Sequence, residues 1–244
     1  MRSKFCFAVF AALTTTLLLA TTGLALEKAT ARFLDNDRDM WRAATTSCSV
    51  SYYNTCTGWV WVWSSWSPGD RYGVCFTTCC TEGQTMITET GYYCFTASPA
   101  GYNFTGVVEA WNADGQCCPT GAAIASQSHL PISGWNAVDF GGMAQNVPNT
   151  FVVTYTAGTG SGDPHSIASD HPAAGPTGPA ACGYCYPSPR TTYSFWYGTA
   201  SSPLCPGSPL SDGVCNAEWL WYCYLDCVTP VESTSWGRVK NLYR

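Results

Sequence analysis

Residues 59–63 read Trp-Val-Trp-Val-Trp. Successive side chains of a strand point to opposite faces, so alternation of this kind puts Trp59, Trp61 and Trp63 on one face and the two valines on the other. Three tryptophans cover about 450–750 Å², at or above the ~300–600 Å² of the largest apolar patch on an ordinary monomer. Such a row is either the wall of a core or a platform for a flat ligand. The segment Ser67-Pro68-Gly69-Asp70 follows, a turn with Pro second and Gly third. If that turn closed a hairpin, Trp63 would face Val74, Trp61 would face Phe76, and one face would be wholly apolar. A sheet buries its most apolar face, so this pairing predicts a core wall. Trp66 falls off the row and is expected near solvent.

The rest of the body supports the same architecture. Runs with period two or apolar character lie near 85–97, 103–112 and 150–156, and again from Thr191 to Tyr197. Glu218 to Val228 is nearly continuous in apolar residues and reads as a central strand covered on both faces. No long stretch repeats at helical spacing. The expected fold is all-β, a disulfide-rich β-sandwich or jelly roll over 48–231, with short helical or irregular terminal segments. A two-part split of that domain would fall near 113–135. Residues 157–190 hold six glycines, six prolines and no extended β-run, which reads as an ordered functional loop.

The chain of 244 residues opens as an export signal does: Arg2 and Lys4, an apolar run to about Ala20, then small residues suited to cleavage after Ala25. Residues 1–25 are therefore expected to be removed, leaving a secreted or cell-surface protein with no membrane span. Of 15 cysteines one lies in this leader, so 14 remain, an even number that reads as a disulfide framework. Local pairs Cys48/Cys56, Cys205/Cys215 and Cys223/Cys227 are the nearest by spacing. The adjacent cysteines Cys79-Cys80 and Cys117-Cys118 are expected to bond to separate partners, because a bridge between neighbours strains the peptide.

Charge narrows the partners. From 43 to 237 the basic residues are Arg71 and Arg190 against 12 acidic ones, a net of −10. Two arginines do not neutralise a phosphate backbone, which argues against nucleic acid. Residues 26–47 form a charged arm, and 232–244 a basic C-terminal segment that either docks on the acidic body or serves as a sorting tag.

Chemistry-bearing constellations are sparse. There is no Gly-x-Ser-x-Gly elbow, no His-Glu-x-x-His and no phosphate-cradling glycine loop. Asp163/His165 and Asp170/His171 pair a carboxylate with an imidazole, but without regular ligand spacing. Cys182-Gly183-Tyr184-Cys185 has redox spacing, yet prolines surround it and no helix follows. No metal, cofactor or catalytic residue is expected, and oligomeric state is left open. Glu109 and Glu218 each sit in a β-run beside an aromatic, the residues a glycoside-active enzyme would need. The leading expectation is a non-enzymatic extracellular binding or surface-assembly module for a polysaccharide or envelope component. Its ligand would be a carbohydrate held by Tyr184, Tyr186, Arg190 and Trp196, at the long loop and its exit, and by Trp66. A purely structural protein that self-associates through strand edges is the second reading, and the Glu109/Glu218 enzyme the third.

Overall fold

The computed structural model describes residues 27–33, 47–64, 66–80, 84–95, 105–140, 145–158, 165–171, 191–199, 205–211 and 215–228. The leader, the C-terminal segment, Tyr184, Tyr186, Arg190 and the Cys182/Cys185 pair lie outside the described residues. All regular structure among the described residues is β: β1 (Glu27–Phe33), β2 (Ser47–Ser51), β3 (Trp59–Ser64), β4 (Asp70–Thr77), β5 (Gln84–Phe95), β6 (Gly106–Ala113), β7 (Pro119–His129), β8 (Gly134–Asp139), β9 (Gln145–Val147), β10 (Thr150–Thr156), β11 (Ser166–Asp170), β12 (Ser194–Thr199), β13 (Ser208–Pro209) and β14 (Trp221–Val228). Two antiparallel sheets result, and the fold is a disulfide-rich β-sandwich. An eight-stranded sheet runs β1-β3-β11-β5-β14-β2, with β8 and β9 also paired to β5. A six-stranded sheet runs β13-β12-β4-β10-β6-β7.

The tryptophan row is core wall, as its apolar face predicts, but its partners differ from the expected hairpin. Trp61 and Trp63 are 0% and 1% exposed. β3 pairs with β1 and β11, while β4 pairs with β10 and β12 in the other sheet. Tyr72, Val74 and Phe76 therefore meet the tryptophans across the interior, not across a ladder. The turn explains the difference. Asp70 N donates to Ser67 O at 3.0 Å, and Gly69, in third position, has φ 90°. That is the type II geometry that Pro-Gly favours. Its twist does not suit a tight hairpin, so the chain leaves one sheet and enters the other.

Trp66, expected near solvent, is 3% exposed. It lies just before this sheet-switching turn and points inward. Its ring sits 4.7 Å from Tyr72 and 6.1 Å from Trp219, and its Nε1 donates to Trp63 O at 3.1 Å. Carrying the chain across the sandwich puts the residue at the corner inside.

Two further expectations change. The stretch 157–190 contains strand β11, which pairs with β3 and β5. Ser166-Ile167-Ala168-Ser169-Asp170 carries a weak strand signal of its own. Its place is set by neighbours: Trp63 Nε1 donates to the buried Ser169 Oγ at 2.7 Å, which satisfies two interior polar groups at once. The charged arm likewise holds β1, paired along β3. The region 113–135 carries β7, paired with β6 in the six-stranded sheet.

The four disulfides that join described residues are long-range. Cys48–Cys79, Cys75–Cys117, Cys80–Cys227 and Cys118–Cys205 join distant strands, so none of the three local pairs forms. Neighbouring cysteines do bond to separate partners in both Cys79-Cys80 and Cys117-Cys118. Cys56 and Cys215 are also disulfide-bonded. Cys94 and Cys223 are free and buried, contrary to a framework that uses every cysteine. They lie on the inner face of β5 and β14 as small apolar side chains, and burial pushes both thiols well up.

Candidate functional site

The inner faces of β5, β8 and β14 build the core through Tyr92, Cys94, Val138, Trp221, Cys223 and Leu225. Their alternate residues point the other way. On that outer face Tyr93 and Phe95 come from β5, Trp135 from β8, and Tyr222 and Tyr224 from β14, joined by Tyr53 from the segment after β2. Trp135 lies directly opposite Tyr93 in the ladder. The rings form a connected strip: Phe95–Tyr93 at 5.2 Å, Tyr93–Trp135 at 5.4 Å, Trp135–Tyr53 at 5.8 Å, Trp135–Tyr222 at 5.5 Å and Tyr222–Tyr224 at 5.1 Å. Below them Val60, Ala168 and Leu220 form a small apolar floor.

Gly91 makes the centre of the strip flat. It pairs with Tyr222 on one side and Ala137 on the other. A Cβ there would overlap the Tyr222 ring, so only glycine lets that ring lie down on the sheet. Tyr53, Tyr93, Phe95, Trp135 and Tyr224 are half-buried, whereas Tyr222 is 5% exposed. Five aromatic rings partly open to water around a sixth on one sheet face are a concentration that burial alone does not account for.

Polar groups edge the strip. Glu89 and Asp139 stand opposite each other between β5 and β8, and Tyr222 Oη donates to Glu89 Oε1 at 2.9 Å. Burial, then the Glu89 charge, raises the Tyr222 hydroxyl well above the usual tyrosine value, so it stays a proton donor. Burial likewise raises Tyr53 to about 12. Ser49 and Ser51 of β2 pair with Tyr224 and Tyr222. The face thus offers ring surfaces, hydroxyls and carboxylates, the groups that stack on and hydrogen-bond a polyhydroxylated ligand.

Of the residues expected to bind ligand, the two that are described, Trp196 and Trp66, are not on this strip. Trp196 stands opposite Tyr72 on β12 and packs against the core from the six-stranded sheet. Trp66 is interior. Sequence reasoning missed Tyr53, Tyr93, Phe95, Trp135, Tyr222 and Tyr224 for an identifiable reason. Gly91-Tyr92-Tyr93-Cys94-Phe95 and Trp219 to Leu225 are aromatic in both alternating sets, which reads as a strand covered on both sides. In a two-layer sandwich one of those sets faces outward.

Glu109 and Glu218 are not brought together. Glu109 points outward from β6, half-buried, with Arg71 Nη2 at 3.6 Å from Oε2. Burial raises its carboxyl, and Arg71 and a Ser126 hydrogen bond pull it back. Glu218 is 2% exposed, and its carboxylate accepts from Tyr193 N at 2.8 Å and Ser194 Oγ at 2.5 Å. Register places Glu109 beside Thr154, Thr154 beside Gly73 and Gly73 beside Phe195, the neighbour of Ser194. Three strand spacings amount to about 14 Å, beyond the ~5–9.5 Å that glycosidase carboxylates require.

Of the Asp/His pairs, His165, Asp170 and His171 are built into the fold, and Asp163 lies outside the described residues. His165 Nε2 bonds Tyr72 Oη at 2.5 Å inside the core, and burial, then His129, depresses its pKa to about 3. Asp170 accepts from Glu218 N at 2.8 Å and Asn54 N at 3.0 Å. The His171 ring meets the edge of Trp61 at 4.6 Å. Cys48, Cys80 and Cys227 converge as metal ligands would, but each sulfur is in a disulfide and offers no thiolate.

No family model matches this chain, and no curated protein matches it. Solved structures that resemble this chain include two of one protease. One comprises the cysteine protease and lectin-like domains of Cwp84, a surface layer associated protein of Clostridium difficile, at 8% identity and TM-score 0.48, over 77% of this chain and 37% of that one. The other is the clostridial cysteine protease Cwp84 after propeptide cleavage, at 8% identity and TM-score 0.51, over 77% of this chain and 42% of that one. The chain spans less than half the length of either structure it matches.

Proposed function

We propose that this protein is a non-enzymatic binding module of the cell exterior that holds a saccharide chain on the outer face of its eight-stranded sheet. The connected strip of Phe95, Tyr93, Trp135, Tyr53, Tyr222 and Tyr224 carries this reading. Sugar rings have an apolar face that stacks on aromatics and hydroxyls that need uncharged or anionic acceptors at the edge. Ser49, Ser51, Glu89 and Asp139 are placed to supply that edge. The long-range disulfides support a secreted or cell-surface setting, since they persist where the surroundings oxidise. No helix among the described residues is long and apolar enough to cross a membrane.

A pull-down on insoluble polysaccharides, followed by titration of the best binder, tests the proposal. Trp135→Ala and Tyr93→Ala should each weaken binding about tenfold or more, as loss of a central aromatic anchor does. Trp196→Ala should leave binding unchanged in any variant that still folds. Equal affinity of wild type and both strip variants would overturn the assignment.

A further inference from the structure

The two sheets end in edges that are not alike. A strand edge with unpaired backbone groups is a template for a further strand, and folded proteins blunt it with charge, proline, bulges or shortness. β13 is two residues long and includes Pro209. β1 carries Glu27, Lys28 and Arg32 within seven residues. β2 is five residues long and tied down at Cys48 by its disulfide. On the far side of β5, β8 and β9 are six and three residues.

β7 is the exception. It spans 11 residues at the end of the six-stranded sheet and contains no Asp, Glu, Lys or Arg. Its first half departs from β6 in a bulge that includes Gly121 at φ 72°. From Ala125 to His129 it is regular, paired residue for residue with Gly106 to Ala110. Ser126, Gln127 and Ser128 are exposed. Just past the strand stand Leu130 and Ile132, 44% and 62% exposed, the two most exposed large apolar side chains among the described residues. The whole window from Gly115 to Val138 has no Asp, Glu, Lys or Arg, although the body around it is acidic.

We infer that β7 is a homotypic docking edge: two copies of this chain pair antiparallel along Ala125–His129 and extend the six-stranded sheet across both molecules. The occupant follows from charge and symmetry. Two acidic bodies repel, and this window is where they can approach without opposing carboxylates. An antiparallel edge is self-complementary about a two-fold axis. With the axis at Gln127, Ser126 meets the partner's Ser128 and Ala125 meets the partner's His129. The same axis carries Leu130 of each copy to the Ile124 end of the other, covering apolar surface that is otherwise wet. The aromatic strip is on the other sheet and stays open in both copies. Such a dimer would present it twice and gain avidity on a polymer.

Sedimentation equilibrium of the full exported chain from about 1 to 300 μM tests this. Wild type should show a monomer–dimer equilibrium, and Gln127→Lys, which puts a charge on an exposed edge position, should weaken association at least tenfold with unchanged circular dichroism. Should that variant not fold, hydrogen exchange on the wild type replaces it: amides of Ala125–His129 should gain protection with concentration while those of β1 do not. A wild type that stays monomeric over the range, association unaffected by Gln127→Lys, or concentration-independent exchange at β7 would each overturn the inference. Monovalent sugar binding by the monomeric variant is read separately, so failure here leaves the ligand proposal standing, and the reverse.

Discussion

Single residues carry more of this fold than their composition suggests. His165 is neutral in the core, bonded to Tyr72 and edge-on to Tyr155, with its pKa held near 3 by burial and then by His129. An unfolded histidine titrates near 6.5. Between those values the unfolded chain binds the proton and the folded one does not, so stability is full above about pH 6.5 and falls as pH drops toward 3. By pH 5 this one group should remove about 2 kcal/mol. Urea unfolding of wild type and His165→Gln at pH 7.5 and pH 5 would show it as a steeper acid loss in the wild type. Parallel acid limbs would count against it. Gly91 makes a second prediction. Gly91→Ala collides with the Tyr222 ring. It should cost about 1–3 kcal/mol by overpacking and should also weaken polysaccharide binding, because Tyr222 can no longer lie flat.

At the level of elements, strand content is legible wherever hydrophobic alternation is strong. β3, β10 and β12 follow from Trp59–Trp63, Phe151–Tyr155 and Tyr193–Tyr197. β11 does not, because Ser, Ala and Asp have no strand preference of their own and are recruited by the tryptophans beside them. Disulfide partners are equally illegible. Spacing favours local bridges, whereas the fold brings the β4–β5 connection beside β14. Cys80–Cys227 bridges a separation of 147 residues, and Cys48 Sγ lies 3.7 Å from Cys227 Sγ next to it. Bridging chain segments so far apart restricts the unfolded ensemble strongly. The double variant Cys80→Ala/Cys227→Ala should therefore lose about 2–5 kcal/mol, measured as a lower urea midpoint with the native spectrum retained.

At the scale of the molecule, the aromatic residues divide into two populations. One fills the interior: Trp61, Trp63, Trp66, Tyr72, Trp219 and Trp221 meet edge-on or tilted across the two sheets. The other lies on the outer face of the eight-stranded sheet and, Tyr222 apart, is only half-buried. The Trp-Val-Trp-Val-Trp row, the feature most like a sugar platform in the sequence, belongs to the first population. Tyr93, Trp135 and Tyr224, which stand in less regular surroundings, belong to the second. The uncharged edge of β7 adds a surface suited to a second copy, and it lies on the sheet opposite the aromatic strip.

What the sequence determined by itself was class. Alternation, turn residues and scarce charge specify a β-sandwich, because those are short-range preferences of backbone and side chain. Which face of each strand would look inward was decided only by tertiary structure. A type II turn sent β3 and β4 into different sheets, and a two-layer sandwich has one inside. Strands aromatic on both faces, such as β5 and β14, must then leave one of those faces outside. That geometric fact, invisible to periodicity, moves the candidate site from the tryptophan row to Tyr93, Trp135 and Tyr222.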